Sequence, residues 1–374
     1  MKSVKIEPCT LVRSPVEHMT TSSAVLEAIK NRVEKKSKVA RKNVPKTKPT
    51  RRGVGDNNKI GLVIEGGGMR ASTAAGMLAA ISVLDLCDTF DVVYGSSAGA
   101  ICGAYFVSRQ MAVDVLTKVL VAAKELFVNK LAIYKLVATA ALDAVVSEVQ
   151  RRWVKYETVR GGFENERRVG AIGMNTTFVL ANIMSPNGLR ELDLDTFNVN
   201  NLVQPLRVVV TRADDSSVGS SVLDNFDDDS DIVVNDMPTA LFRALQASMT
   251  VPGVAGAPSI NSNATATKGL FCDAFCCEPI PYRSASKECT HMLVLQTRPR
   301  CANASLVSGL YDDLLAPTYF ERFNNSMMAR YHRNGGQLFT YAEDILLMNE
   351  AFEFPGEWAM ILESASASFT IALS

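Results

Sequence analysis

Two short β-branched runs, each ending on glycine and followed at once by a helical pattern, set the first constraint on this chain. Residues 60–64 (IGLVI) run into Glu65-Gly66-Gly67-Gly68, and residues 90–94 (FDVVY) run into Gly95-Ser96-Ser97-Ala98-Gly99. After the first turn, Met77, Leu78, Ile81 and Leu84 recur at helical spacing within 74–86; after the second, 98–108 read as a helix. Strand, turn and helix repeated at this pitch predict an α/β fold: a mostly parallel central sheet flanked by helices. Residues 206–211 (LRVVVT) and 292–297 (MLVLQT) predict two further core strands, with a helix over 239–248. Helical patterns also fill 110–156, 310–315, 317–331 and 341–350.

The chain has 374 residues, 47% of them hydrophobic and 21% charged, so it is long and apolar enough to bury a large core. Its formal net charge of zero conceals an asymmetry. Residues 1–58 carry 14 Lys/Arg against 5 Asp/Glu, leaving 25 against 34 for the rest. That opening stretch reads as a basic, solvated, disordered arm, with one short amphipathic helix over 23–36 presenting Val25, Leu26, Ile29 and Val33. Such an arm suits an anionic membrane surface better than nucleic acid, and an organelle address stays open although Glu7, Glu17, Glu27 and Glu34 weigh against a transit peptide. The expected division is therefore an arm at 1–58, a main domain at 59–300, and a helical part at 301–374 packed on that domain.

No run reaches the roughly 18 apolar residues of a membrane span, because Lys or Asp interrupts the best candidates in 110–156. No short apolar segment of the signal-peptide kind follows the first residues. The expected location is cytoplasmic or peripheral to a membrane, not secreted. The eight cysteines then read as reduced thiols, and the sequons at Asn175, Asn263, Asn303 and Asn324 lose their meaning. Cys272, Cys276 and Cys277 lack a second ligand pair at zinc spacing, so buried thiols are expected there and no metal.

Gly95-x-Ser97-x-Gly99 lies between a predicted strand and a predicted helix, the context in which a serine becomes a nucleophile projected from a sharp turn. Three successive glycines at the end of the preceding strand can aim backbone N–H groups at a developing oxyanion, with Arg70 adding positive charge. A phosphate loop would need a G-x-x-x-x-G-K-[ST] string, which does not occur. A dinucleotide fingerprint from Gly66 would end on Ala71, a tolerated variant, but has no use for the second glycine turn. For a base there are three histidines, His18, His291 and His332, and a carboxylate, Asp273, in the apolar segment GLFCDAFCCEPIP.

At these residues the sequence resembles the patatin-like phospholipase family. GGGMR, GSSAG, RALQASMTVPGV and DAFCCEPIP arrive in the family's order across about residues 59–300, most similar to the soluble bacterial-type branch also found in plants and algae. The resemblance implies a three-layer patatin-like fold and a lipid acyl hydrolase working through a dyad: Ser97 as nucleophile and Asp273 as its base. It also implies an oxyanion hole at Gly66, Gly67 and Gly68 with Arg70, an elbow framed by Gly95 and Gly99, a lipid substrate, and neither metal nor organic cofactor. Two departures stand out. Ala71 replaces a glycine after GGGMR, and Ala274-Phe275 replaces the small residues that follow the family's aspartate. The alternative is therefore a catalytically inactive patatin fold that binds lipid or a partner.

Overall fold

The computed structural model describes residues 22–40, 56–119, 124–138, 173–214, 218–226, 240–261, 269–298 and 309–351. Its elements begin with α1 (Ser22–Ala40), β1 (Ile60–Ile64), α2 (Ala71–Val83), β2 (Val92–Ser96) and α3 (Ala98–Val107). Next come β3 (Leu206–Arg212), β4 (Ser220–Leu223), α4 (Ala240–Met249), β5 (Ser259–Asn261), β6 (Gly269–Asp273) and β7 (His291–Leu295). Three helices follow: α5 (Ala316–Arg322), α6 (Ser326–Arg333) and α7 (Gly336–Ala351).

The sheet is mostly parallel, as expected. Strands β7, β1, β2 and β3 pair in that order, all parallel; β4 and β6 pair antiparallel with β3, and β5 antiparallel with β6. Alternation along the strands sends side chains to two separate cores. Ile60, Leu62, Ile64, Val93, Leu206, Val208 and Val210 face the larger one, with α2, α3 and α4. Val63, Val92, Tyr94 and Val209 face the other, with Ile280, Tyr282, Tyr341 and Ile345. Two cores on two faces of one sheet make three layers. Helix α3 is buried along all ten residues, which explains why AGAICGAYFV has no polar side.

Strand β2 lies two residues later than the predicted 90–94, because Gly95 and Ser96 continue the ladder against Val208 and Val209 of β3. Helix α2 starts three residues before the predicted 74 and stops at Val83, where Asp85 turns into a positive φ of 56°. Within the predicted helical stretch 110–156, Val113, Leu116 and Phe127 are buried, whereas Leu126 and Leu131 are exposed. Leu120 and residues 139–156 lie outside the described residues. No helix among the described residues is long and apolar enough to cross a membrane.

The expected solvated arm needs correction where it is described. Helix α1 is docked on the body, with Ala28 and Ile29 buried in the larger core. Charge counting counted Arg32 as one more solvated cation, yet it is 7% exposed. Its guanidinium spends all its donor directions on fixed partners. It donates to both oxygens of Asp56 at 3.0 Å, to Asp91 at 2.8 Å, and to the carbonyls of Thr89 and Asn58 at 2.6 Å each. Asp91 also accepts the Ile60 N–H at 2.7 Å, so the helix is tied directly to the start of β1. Most of the remaining basic stretch, residues 1–21 and 41–55, lies outside the described residues. Replacing Arg32 by Ala would strand these acceptors in a low-dielectric site, and a loss of about 3 kcal/mol is expected in urea unfolding. A variant as stable as the wild type would mean that α1 is not docked by this arginine.

Candidate active site

The strand-to-helix turn after β2 is as tight as the G-x-S-x-G spacing implies. A Cβ on Gly95 would stand 2.6 Å from the Ala100 Cα, and one on Gly99 would stand 2.5 Å from the Ile64 carbonyl oxygen. Both obstacles are backbone, so neither can move aside. Helix α3 therefore starts in near contact with β1 and β2. Between the glycines, Ser97 adopts φ 51° and ψ −125°, a conformation that L side chains rarely hold. Such strain costs about 1–3 kcal/mol and persists only where the surroundings enforce it. Ser96, the neighbouring hydroxyl, is fully buried and donates to the Glu278 carbonyl at 2.9 Å, so it is structural.

Asp273 reaches this serine through strand pairing. Val208 and Val209 of β3 pair with both β2 and β4, so those two strands occupy opposite edges. Val210 and Thr211 pair with both β4 and β6, so β6 lies on the same edge as β2, end to end with it. Ser96 faces Val209, and Asp273 faces the next residue, Val210. The last residue of β6 is thereby delivered to the residue that follows β2. The Ser97 hydroxyl donates to Asp273 Oδ2 at 2.8 Å, while Oδ1 accepts the Phe275 N–H at 2.9 Å. With one oxygen pinned by backbone, the other is held toward the serine.

Asp273 is 1% exposed, and burial pushes its pKa from 3.8 up to about 7; the Phe275 N–H and the Ser97 hydroxyl pull weakly the other way. The two substitutions after it are accommodated. Ala274 opens a single 3-10 turn, is not among the residues with positive φ, and is fully buried, so the position demands a small side chain and not glycine's freedom. The Phe275 ring turns away to pack on Tyr311, centroids 5.4 Å apart. Ala71 sits at the helical start of α2 with φ −61°, where glycine has no advantage.

The glycine turn lies against the same serine, but its members differ. Gly66 is packed so closely that a Cβ would be 2.9 Å from the Ser96 carbonyl oxygen and 3.2 Å from the Ser97 Cβ. Its N–H donates to the Pro279 carbonyl at 3.0 Å, which removes it from the expected oxyanion hole: the buried turn needs that donor to close. Gly68 has φ 55° with no neighbour where a Cβ would stand, so there the requirement is conformational. Arg70 is exposed, with its Nε 3.3 Å from where a Cβ on Gly67 would stand. Beneath the turn is a residue that motif reading missed. Glu65 is fully buried and accepts the Thr297 N–H and the Tyr341 hydroxyl, both at 2.5 Å, fastening the turn to the end of β7 and to α7. Its signal was a carboxylate joined to an apolar run with no room for water.

The two described histidines are elsewhere. His18 lies outside the described residues. His291 pairs with Ile60 at the amino end of the parallel strands, about 13 Å of strand from the end that carries the site. His332 is buried and stacked on Phe320, centroids 5.5 Å apart, with Asp312 at 3.5 Å from Nδ1. Cys272, Cys276 and Cys277 are buried free thiols, and burial pushes Cys277 up to about 12.

This arrangement defines a class: a three-layer α/β protein that bonds a strained elbow serine to a buried aspartate, with no histidine among the described residues beside them. The chain belongs to the patatin-like phospholipase family, whose model matches residues 62–286. No curated protein matches the sequence. Among solved structures, VipD from Legionella pneumophila is 13% identical, with 63% of this chain and 51% of that one covered and a TM-score of 0.29. The type III effector ExoU is 16% identical, with coverage of 75% and 53% and a TM-score of 0.26. The chain spans about half the length of each, and likeness at this level adds nothing to the fold argument.

The Asp273 shift has a consequence for stability. Between pH 3.8 and about 7 the folded protein keeps a proton that the unfolded chain has lost. This group's contribution is thus fully present below 3.8 and is lost as pH rises to about 7. Asp273→Asn has no titrating proton there, so the stability of the variant relative to wild type should climb across that window and level off above it. Urea unfolding at a series of pH values measures this, and a pH-independent difference would show that Asp273 titrates normally.

Proposed function

We propose that this protein is a lipid acyl hydrolase that cleaves acyl esters through Ser97 and Asp273. The observation that carries the reading is the 2.8 Å bond from the Ser97 hydroxyl to a carboxylate buried enough to titrate near 7. An ordinary carboxylate near 3.8 is a poor proton acceptor at neutral pH; one raised to about 7 is matched to the task.

In the proposed mechanism, Ser97 Oγ bonds to the ester carbonyl carbon while its proton passes to Asp273 Oδ2. The carbonyl oxygen takes negative charge and is met by the N–H groups of Gly67 and Gly68, with that of Ala98 at the start of α3. Each such donor stabilises the transition state by about 3 kcal/mol. Arg70 adds positive charge beside the turn. The carbon–oxygen bond to the leaving alcohol then breaks, and Asp273 returns the proton to the departing oxygen, leaving an acyl-serine. Water attacks the acyl carbon, gives a proton to Asp273, and expels Ser97, which regains its proton as the fatty acid leaves. The substrate side of the proposal is an acyl lipid at a membrane surface or aggregate, in line with the family. Contact of the basic arm with anionic headgroups is part of the same reading.

Release of fatty acid from mixed phospholipid and galactolipid vesicles tests it. Hydrolysis is expected to rise with pH around a midpoint near 7, as Asp273 loses its proton. Ser97→Ala and Asp273→Asn should each lower the rate on the order of 10³- to 10⁴-fold. Fatty-acid release that survives Ser97→Ala would refute the proposal.

A further inference from the structure

We propose that Ser248 is a positioning residue for the nucleophile, acting through the main chain of the elbow. The assignment rests on reading Ser97 as the nucleophile. Ser248 is the ninth residue of α4, fully buried, and its hydroxyl bridges the serine elbow and β3. It accepts the Ser97 N–H at 2.8 Å and donates to the Val209 carbonyl at 2.6 Å. Ser97 caps the start of α3, where a backbone N–H has no partner within its own helix. In this site it is buried, so a side chain has to supply the acceptor. The donor that Ser248 sends to Val209 fixes which lone pair it offers.

The same short segment holds the other half of the dyad. Two residues on, the Thr250 carbonyl accepts the Asp273 N–H at 2.9 Å. Thr250 is itself tied back to the helix end through its hydroxyl, which donates to the Gln246 carbonyl at 2.7 Å. The end of α4 therefore grips Ser97 through a side chain and Asp273 through a carbonyl. Both grips set the 2.8 Å Ser97–Asp273 contact without touching substrate. Ser97 has a strained backbone, so loss of the Ser248 acceptor frees it to relax toward an ordinary turn and carries Oγ away from Oδ2.

The test measures kcat and KM for p-nitrophenyl butyrate, and amide hydrogen exchange over residues 92–99, in wild type, Ser248→Ala and Ser248→Cys. Ser248→Ala is expected to lower kcat by about tenfold to a hundredfold with KM unchanged, the signature of misplaced reacting groups. Exchange over 92–99 should rise while the rest of the sheet stays protected. Ser248→Cys, nearly equal in size with a weaker acceptor, should fall between the two and serves alone if the alanine variant does not fold. Wild-type kcat in these variants, or a loss confined to KM, overturns the assignment. A wild type without esterase activity would defeat the hydrolase reading instead; unchanged exchange over 92–99 would then still refute the role of Ser248.

Discussion

One edge of β3 organises this molecule. Strand β2 uses its first half and β6 its second, so a parallel strand and an antiparallel strand meet end to end on consecutive residues, Val209 and Val210. No loop is asked to bring Ser97 and Asp273 together. The backbone ladder does it, with the rigidity of a sheet centre and both residues nearly excluded from water. A site built this way needs little further ordering when a substrate arrives.

The cost is local and opposed from several sides. Ser97 carries a strained backbone and Asp273 an unfavourable burial of charge. Around them, close packing and fixed hydrogen bonds, that of Ser248 to the Ser97 N–H among them, together oppose relaxation. Helix α3 begins within backbone contact of β1 and β2, which is tolerable only with glycine at 95 and 99. Glu65 ties the glycine turn to β7 and α7; Glu278 accepts the N–H and hydroxyl of Ser284 and the hydroxyl of Ser220. The helices after residue 310 thus take part in the site although they contribute no reacting group: α5 and α6 pack on Cys272 and Cys276, either side of Asp273.

Much of this was legible in the sequence, and the exceptions have physical reasons. Strand β1, the glycine turns and the wholly apolar α3 announce themselves because local pattern and final environment agree. Strand β6 does not: GLFCD is a short apolar run whose pairing with β3 is decided by tertiary register, so its aspartate stood beside three histidines as one candidate base until the family resemblance favoured it. Glycine triplets reveal an anion-ready turn but not which N–H the fold will consume, and Gly66 is spent on Pro279. Arg32 looked like one more cation in a basic arm because its partners, Asp56 and Asp91, are 24 and 59 residues away. Ser248 was hidden for the opposite reason. A serine within an apolar helix has no pattern of its own, and its importance depends entirely on what it faces.

In the proposed mechanism Asp273 activates Ser97 directly. Intact mass after exposure to a fluorophosphonate, for wild type beside Ser97→Ala and Asp273→Asn, addresses it most directly, because this reagent needs an activated serine and no particular lipid. A single adduct is expected on wild type at Ser97, with little or none on either variant. A folded wild type that takes no adduct, or an Asp273→Asn variant that labels as fast as wild type, would contradict it.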